Sequence, residues 1–252
     1  LVFLRPLGLR LPKGFWHCQP DNGTFEMWFN GKNLFPDSGS YVYAGEGEVM
    51  EQRNWHRQTS VHNTVTLDNK NLETTESVTK LWQPEGNIQT LVTENPSYKN
   101  FKHRRSVFFV DNTYFVIVDE VSGSAKGSVN LHYQMPKGEI ANSREDMTFL
   151  TQFEDGSNMK LQCFGPEGMS MKKEPGWCST AYRKRYKRMN VSFNVKKDNE
   201  NAVRYITVIY PVKKSADAPK FDAKFKNKTF DENGLEIEVK VNGKKQSLKY
   251  KL

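Results

Sequence analysis

The sequence predicts an all-β protein, a large antiparallel β-sandwich, and three observations carry the prediction. Short runs rich in Val, Ile, Thr, Tyr and Phe recur along the chain with turn residues between them. Asn30-Gly31 and Asn242-Gly243 are strong hairpin signals, and Asp111-Asn112 marks another tight turn. No helical apolar period of about ten residues, internal repeat or low-complexity tract interrupts the pattern.

In chain order, the opening Leu1 to Leu11 is apolar but broken by Arg5, Pro6, Gly8 and Arg10, too broken and short for a leader core or a membrane span. Residues 1–13 read as a connector from an upstream region, since Leu1 is not an initiator Met. Residues 14–252 read as the sandwich. Thr24 to Phe29 is the first strand, and Leu34 to Pro36 returns from its hairpin. Pro36-Asp37-Ser38-Gly39 is a turn, Ala44 to Gly47 a Gly-rich loop without a phosphate-binding pattern, and Trp55 to Leu67 contains the next strand. There Val61, Val65 and Leu67 share one face, and His62, Thr64 and Thr66 the other. Further strands are expected at 87–92, 106–110, 114–121, 128–135, 149–153, 159–164, 189–195, 204–210, 235–241 and 246–252. Lys213 to Lys228 reads as a charged loop. It is a candidate for a domain break, and the chain is read as one domain.

A formal charge of +8 favours polyanionic partners: nucleic acid, an anionic membrane or acidic polysaccharide. No RRM or OB pattern supports nucleic acid. Three cysteines, Cys18, Cys163 and Cys178, make neither a disulfide framework nor a CxxC zinc site.

Chemistry concentrates between Phe15 and His62. In an extended segment His17 and Gln19 project to one side, and Cys18 to the other as a packing residue. Gln19, Asp37 and His62 offer an amide oxygen, a carboxylate and an imidazole, a set able to hold a divalent cation. The bland reading is a structural histidine and a turn aspartate. His56, His103 and His132 have ordinary surface or core readings. The run Tyr182-Arg183-Lys184-Arg185-Tyr186-Lys187-Arg188 is the densest basic patch. It suits either anionic sugars against its rings or a charged strand edge that blocks aggregation.

Two stretches carry a family resemblance: His17 to Lys32 with Phe35-Pro36-Asp37-Ser38-Gly39-Ser40-Tyr41, and Arg57 to Val65 with its His62-Asn63-Thr64. Together they resemble the heparinase II/III family of polysaccharide lyases, whose β-domain carries His-x-His-x-Asp, an Asn-Gly hairpin, Asp-x-Gly-x-Tyr and a His-Asn-Thr strand. The resemblance implies a C-terminal β-sandwich following an α/α toroid, with the active site between them. It implies β-elimination at glucosamine–uronic acid linkages of heparan sulfate or a related glycosaminoglycan, leaving an unsaturated uronate. His17 takes the family's catalytic histidine position. Gln19, Asp37 and His62 take its metal positions, with Gln19 where the zinc-containing relatives have histidine. That exchange favours calcium or a looser zinc site, structural rather than catalytic. The family's catalytic Tyr and Asn belong to the toroid. Arg57 and Asn63 are candidates for substrate contact, and the implied location is periplasmic or secreted. The alternative is a noncatalytic β-sandwich module that binds acidic polysaccharide through Tyr182 to Arg188.

Overall fold

The computed structural model describes the backbone of residues 2–4, and residues 19–73 and 76–252 in full. His17, Cys18 and most of the 1–13 connector lie outside the described residues. The chain runs β1 Val2–Leu4, β2 Phe25–Phe29, β3 Lys32–Asn33, α1 Gly47–His56, a 3-10 turn at Thr59–Val61, β4 Val65–Leu67, β5 Val78–Gln83 and β6 Ile88–Tyr98. It continues with β7 Phe101–Val110, β8 Tyr114–Ser122, β9 Gly127–Gln134, β10 Ile140–Ser143, β11 Thr148–Thr151, β12 Asn158–Phe164 and β13 Ser170–Ala181. It ends with β14 Lys184–Lys197, β15 Val203–Val212, a 3-10 turn at Ser215–Asp217, β16 Phe221–Phe225, β17 Gly234–Val241 and β18 Lys244–Lys251.

These strands form an antiparallel sandwich with a third, smaller layer. The central sheet has eight strands in the order β10-β11-β12-β15-β8-β7-β6-β5. One of its faces meets the four-stranded sheet β13-β14-β9-β4, and β1-β2-β3 form a small sheet beside them. The core on that face includes Phe115 and Ile117 of β8, Leu131 and Tyr133 of β9, and Val191 and Phe193 of β14. On the opposite face Val116 and Val118 of β8 meet Leu235, Ile237 and Val239 of β17 and Leu248 of β18. The sheet β16-β17-β18 therefore caps the outside. Burial on both faces explains the unbroken apolar run from Tyr114 to Val118, unusual for an antiparallel strand.

The hairpin expectations hold. Asn30 and Gly31 have φ of 48° and 80°, Asp111 and Asn112 of 49° and 50°, and Asn242 and Gly243 of 49° and 82°. Two successive left-handed residues twist a two-residue loop in the sense the flanking strands require.

Three expectations are corrected. The residues expected to be loop and then strand contain a ten-residue helix, α1. It was hidden because the side chains it buries are Arg53 and His56, so no apolar stripe marks its period. The Trp55 to Leu67 strand shrinks to β4. Before it, the backbone is bound by side chains and tight turns rather than by a ladder, as in Thr64 N–H to the His62 carbonyl at 3.0 Å. The charged loop from Lys213 to Lys228 contains β16, whose Phe221 and Phe225 pack against the outer core. Strands β5 and β13, unforeseen in the sequence, are sheet edges whose exposed polar residues dilute the apolar pattern. Among the described residues no helix is long and apolar enough to cross a membrane.

Candidate functional site

The candidate site is built from three segments that β pairing alone would not hold together. The first is the turn 21–24, closed by Thr24 N–H donating to the Asp21 carbonyl at 2.9 Å. The second is the Asp37 turn, and the third is the irregular chain from Gln58 to Thr64.

Local hydrogen bonds aim each side chain. Asp37 accepts the Gly39 N–H on Oδ1 at 2.6 Å, and its own N–H donates to Glu26 Oε1 of β2 at 3.3 Å. This Asx turn leaves Oδ2 directed at His62 Nε2, 3.4 Å away. Gly39 is required here. Its φ is +72°, and a Cβ would overlap the Ser179 carbonyl oxygen of β13. Helix α1 braces the same turn from behind. His56 Nδ1 lies 2.8 Å from the Ser38 carbonyl, Arg53 Nη1 donates to the Val42 carbonyl, and Tyr41 stacks on His56 with centroids 5.8 Å apart.

His62 is wholly buried. Its Nδ1 lies 2.8 Å from the Gln58 carbonyl, which can only accept, so Nδ1 carries the proton. With Nδ1 committed to that carbonyl, Nε2 faces Gln19 Oε1 at 2.6 Å and Asp37 Oδ2. Oxygen atoms converging on an imidazole nitrogen form a set suited to a cation. Asp21 completes the set: one ligand atom each from Asp21, Asp37 and His62 lies within 4.8 Å of the others. Three oxygen donors and one imidazole, carrying two formal negative charges, suit a divalent cation such as calcium or zinc. These residues fit the metal that the sequence implied.

The structure thus brings Gln19, Asp37 and His62 together, and it adds Asp21, which sequence reasoning missed. The signal was present: Gln19-Pro20-Asp21 is an i, i+2 pair, and an extended segment puts both residues on one side.

Asn63 does not fit the expectation of substrate contact. It is fully buried, its amide donating to the Phe25 and Phe35 carbonyls at 2.8 and 3.3 Å and accepting the Gln134 N–H at 2.7 Å. With donors and acceptor engaged by backbone, it fastens the His62 segment to β2 and β9. Arg57 is half-buried at the C-terminal cap of α1. His132 lies inside β9, 2.8 Å from Thr66 Oγ1, and is not part of the cluster.

Beneath the site lies a buried charged group that the sequence reading overlooked. Arg105 of β7 reaches the Gly23 carbonyl at 2.6 Å and also the Asn63 carbonyl, tying the first segment to the third. Its guanidinium pairs with Asp119 of β8 through Nε at 2.7 Å and Nη2 at 3.2 Å. His103 Nε2 meets the same carboxylate at 2.6 Å. Burial opposes ionisation of Asp119, but Arg105 and the His103 hydrogen bond outweigh it and hold the carboxyl below its usual range. Burial dominates for His103 and lowers its pKa. The imidazole therefore sits neutral between charged neighbours.

Residues 9–224 match the family described as Heparinase II/III-like, C-terminal. The chain is 89% identical over 241 residues, 96% of its length, to a heparin-sulfate lyase of Bacteroides stercoris. It is 36% identical over 239 residues to a heparin-sulfate lyase of Pedobacter heparinus. Among solved structures, a crystal structure of heparinase III superposes with a TM-score of 0.89 at 34% identity, covering 94% of this chain and 36% of that one. A heparan sulfate lyase from Pedobacter heparinus superposes with a TM-score of 0.88, covering 96% of this chain and 38% of that one. The chain spans 36% of the length of each of these two lyase sequences.

Proposed function

The chain belongs to the heparinase II/III family, and from that membership we propose that it is the C-terminal part of a heparan-sulfate lyase. The observation that carries the proposal is the convergence of Gln19, Asp37 and His62 from three separate motif segments, two residues downstream of His17. Relatives almost three times as long support an upstream α/α toroid that completes the cleft and supplies the remaining catalytic groups. A polymeric substrate outside the cell suits a periplasmic or secreted protein.

In this reading a base takes the proton from the carbon beside the uronate carboxylate. The bond to the bridging oxygen breaks, a carbon–carbon double bond forms in the uronate, and an acid protonates the oxygen leaving with glucosamine. The proton is weakly acidic because the adjacent carboxylate is already charged, so donors must neutralise that charge as it spreads. His17 is the proton-transfer group of this chain. Arg57 is available to hold a sulfate or carboxylate of the sugar.

The full-length protein, given heparan sulfate, is expected to generate the absorbance of an unsaturated uronate. His17→Ala should lower kcat by about 10²–10⁴-fold. The 252-residue chain by itself should show no turnover. Sustained turnover by that chain, lost in His17→Ala, would overturn the division of labour between the two domains.

We further propose that Gln19, Asp21, Asp37 and His62 hold one divalent cation. Such an ion supplies positive charge that locks the three segments bearing the site, and the residues themselves do the orienting. Elemental analysis after dialysis should find about one equivalent of metal per chain. A metal at about 100 times its Kd stabilises the chain by about 2.7 kcal/mol, so chelation should lower Tm by roughly 5–10 °C. Asp37→Asn should lose both the metal and the response to chelator. A metal-free chain whose Tm ignores chelator would overturn the metal reading of this cluster.

A further inference from the structure

The basic run from Tyr182 to Arg188 is left unexplained by the metal cluster, yet it is joined to it. Ser179 N–H donates to the Ser38 carbonyl at 2.9 Å, and Arg183 N–H to the Tyr41 carbonyl at 2.9 Å. Cys178 Sγ lies 3.2 Å from the Asp37 carbonyl oxygen. Arg188 points inward, its Nη2 donating to Ser38 Oγ at 2.6 Å and its Nη1 to the Pro36 carbonyl. The tip of the β13–β14 hairpin is thus stitched to the segment that presents Asp37. Tyr41 is four residues from Asp37, a span of at most about 14 Å of chain.

On the accessible side of this hairpin, cations and rings alternate. The Arg185 guanidinium lies over Trp177 at 4.1 Å and over Tyr41 at 5.2 Å, and the Lys187 ammonium is 5.7 Å from the Trp177 ring. Tyr43 and Tyr182 stack at 6.2 Å while remaining 63% and 57% exposed, and Arg183 lies over Tyr182. Among the described residues, none of Arg183, Lys184, Arg185 and Lys187 makes an ion pair with a carboxylate. Arg185 Nη1 is shielded from solvent and has no hydrogen-bond acceptor. Alongside opens a recess of about 410 Å³ lined by Lys173, Lys187, Arg188 and Met189, with Glu174 the one carboxylate among its described lining residues.

A charged strand edge that merely blocks aggregation does not account for these features. Such an edge needs solvated lysines, whereas exposed stacked tyrosines and a tryptophan raise the hazard they would be guarding against. A guanidinium clamped on aromatic faces has already given up much of its rotamer freedom. The N–H donors it leaves accessible match the oxygens of a sulfate or carboxylate. Flat exposed rings beside it offer an apolar face to a sugar.

We propose that Trp177, Arg183, Arg185 and Lys187, with Tyr43 and Tyr182, form a subsite for a sulfated glycosaminoglycan chain flanking the Asp37–His62 centre. It holds the polymer some distance from the reacting linkage. This rests on the lyase reading. Positive charge without base-reading side chains would also attract nucleic acid, so the test includes it.

Binding of heparan-sulfate oligosaccharides to the 252-residue chain is measured by calorimetry, with duplex DNA of similar charge as competitor. Arg183→Ala/Lys187→Ala, at two exposed positions, should weaken oligosaccharide binding about tenfold for each charge-assisted hydrogen bond removed, and flatten its salt dependence. Arg185→Lys keeps the charge and loses the fork, so it too should weaken binding. Unchanged affinity in both variants, with native circular dichroism, overturns the subsite, as does tighter binding of DNA than of the oligosaccharide. Turnover of heparan sulfate by the full-length protein is followed in parallel. Turnover with unaltered binding in the variants removes the subsite alone, whereas no turnover in the unsubstituted protein removes the lyase reading as well.

Discussion

Replacing Arg105 by Met lowers the unfolding free energy by about 3–5 kcal/mol, the range for breaking a buried pair by removing one partner. Asp119 is 0% exposed and Arg105 1%, so the carboxylate left behind has no water to turn to. His103 remains in contact with it, and burial holds that imidazole below its usual pKa. The substitution also frees the Gly23 and Asn63 carbonyls, each in a segment that carries part of the proposed metal cluster. Denaturant titration should therefore show the loss directly, with Tm falling on the order of 10 °C. Retention of the proposed metal should weaken in the same variant, because the hydrogen bonds of Arg105 hold the Gly23 and Asn63 segments rather than any bound ion. The double variant Arg105→Met/Asp119→Leu should recover part of the stability, because no unpaired charge stays buried. A loss below about 1 kcal/mol in Arg105→Met would mean that water reaches Asp119.

The fold was legible wherever burial follows the strand period. Strands β8, β9, β14 and β17 announce themselves because their side chains face packed sheets, and the Asn-Gly pairs fix turns by backbone sterics alone. What stayed hidden is structure held by polar contacts. Helix α1 buries Arg53 and His56 against the Val42 and Ser38 carbonyls, a pattern that no count of apolar spacing can detect. The chain from Gln58 to Thr64 is shaped by Asn63 and Thr59, whose side chains bond to backbone groups distant in sequence, such as the Pro20 carbonyl 2.6 Å from Thr59 Oγ1. Such bonds depend on the finished fold, so the local sequence suggested a strand there.

The site divides the same way. Gln19, Asp37 and His62 could be picked out because their residue types and motif context indicate metal chemistry. Asp21 escaped because a residue in a turn has an ordinary explanation. Asn63 was misjudged for the opposite reason: beside His62 it looks like a ligand-facing residue, yet in the fold it is an internal fastener. The supporting Arg105–Asp119 pair lies on strands that pass for plain β pattern, and only the register of β7 with β8, which sets Arg105 opposite Asp119, reveals it.

Stability should also fall steeply in mild acid, and His132 supplies the clearest cause. Burial alone pushes its pKa from 6.5 down to about 4. His56 is pushed to about 4 as well, by burial first, with the Ser38 hydrogen bond opposing and Arg185 and Arg188 adding to the fall. For a base whose folded pKa is lowered, the unfolded chain takes up its proton as pH drops through 6.5, while the folded chain resists until about 4. Stability is therefore complete above 6.5 and is lost between 6.5 and 4, at up to about 1.4 kcal/mol per pH unit for each such histidine. Two of them give a slope approaching about 3 kcal/mol per unit, and His103 acts in the same direction. The depressed carboxyl of Asp119 extends the loss to lower pH, since its stabilisation disappears only as pH falls from its unfolded value through the folded one. His132→Gln removes one histidine and keeps a polar partner for Thr66 Oγ1, so it should remove close to half of the slope contributed by His132 and His56. Chelator present throughout keeps metal release from contributing. A denaturation midpoint that stays level from neutral pH to about pH 5, or a variant with the parental slope, would show that His132 can be protonated inside the folded sheet.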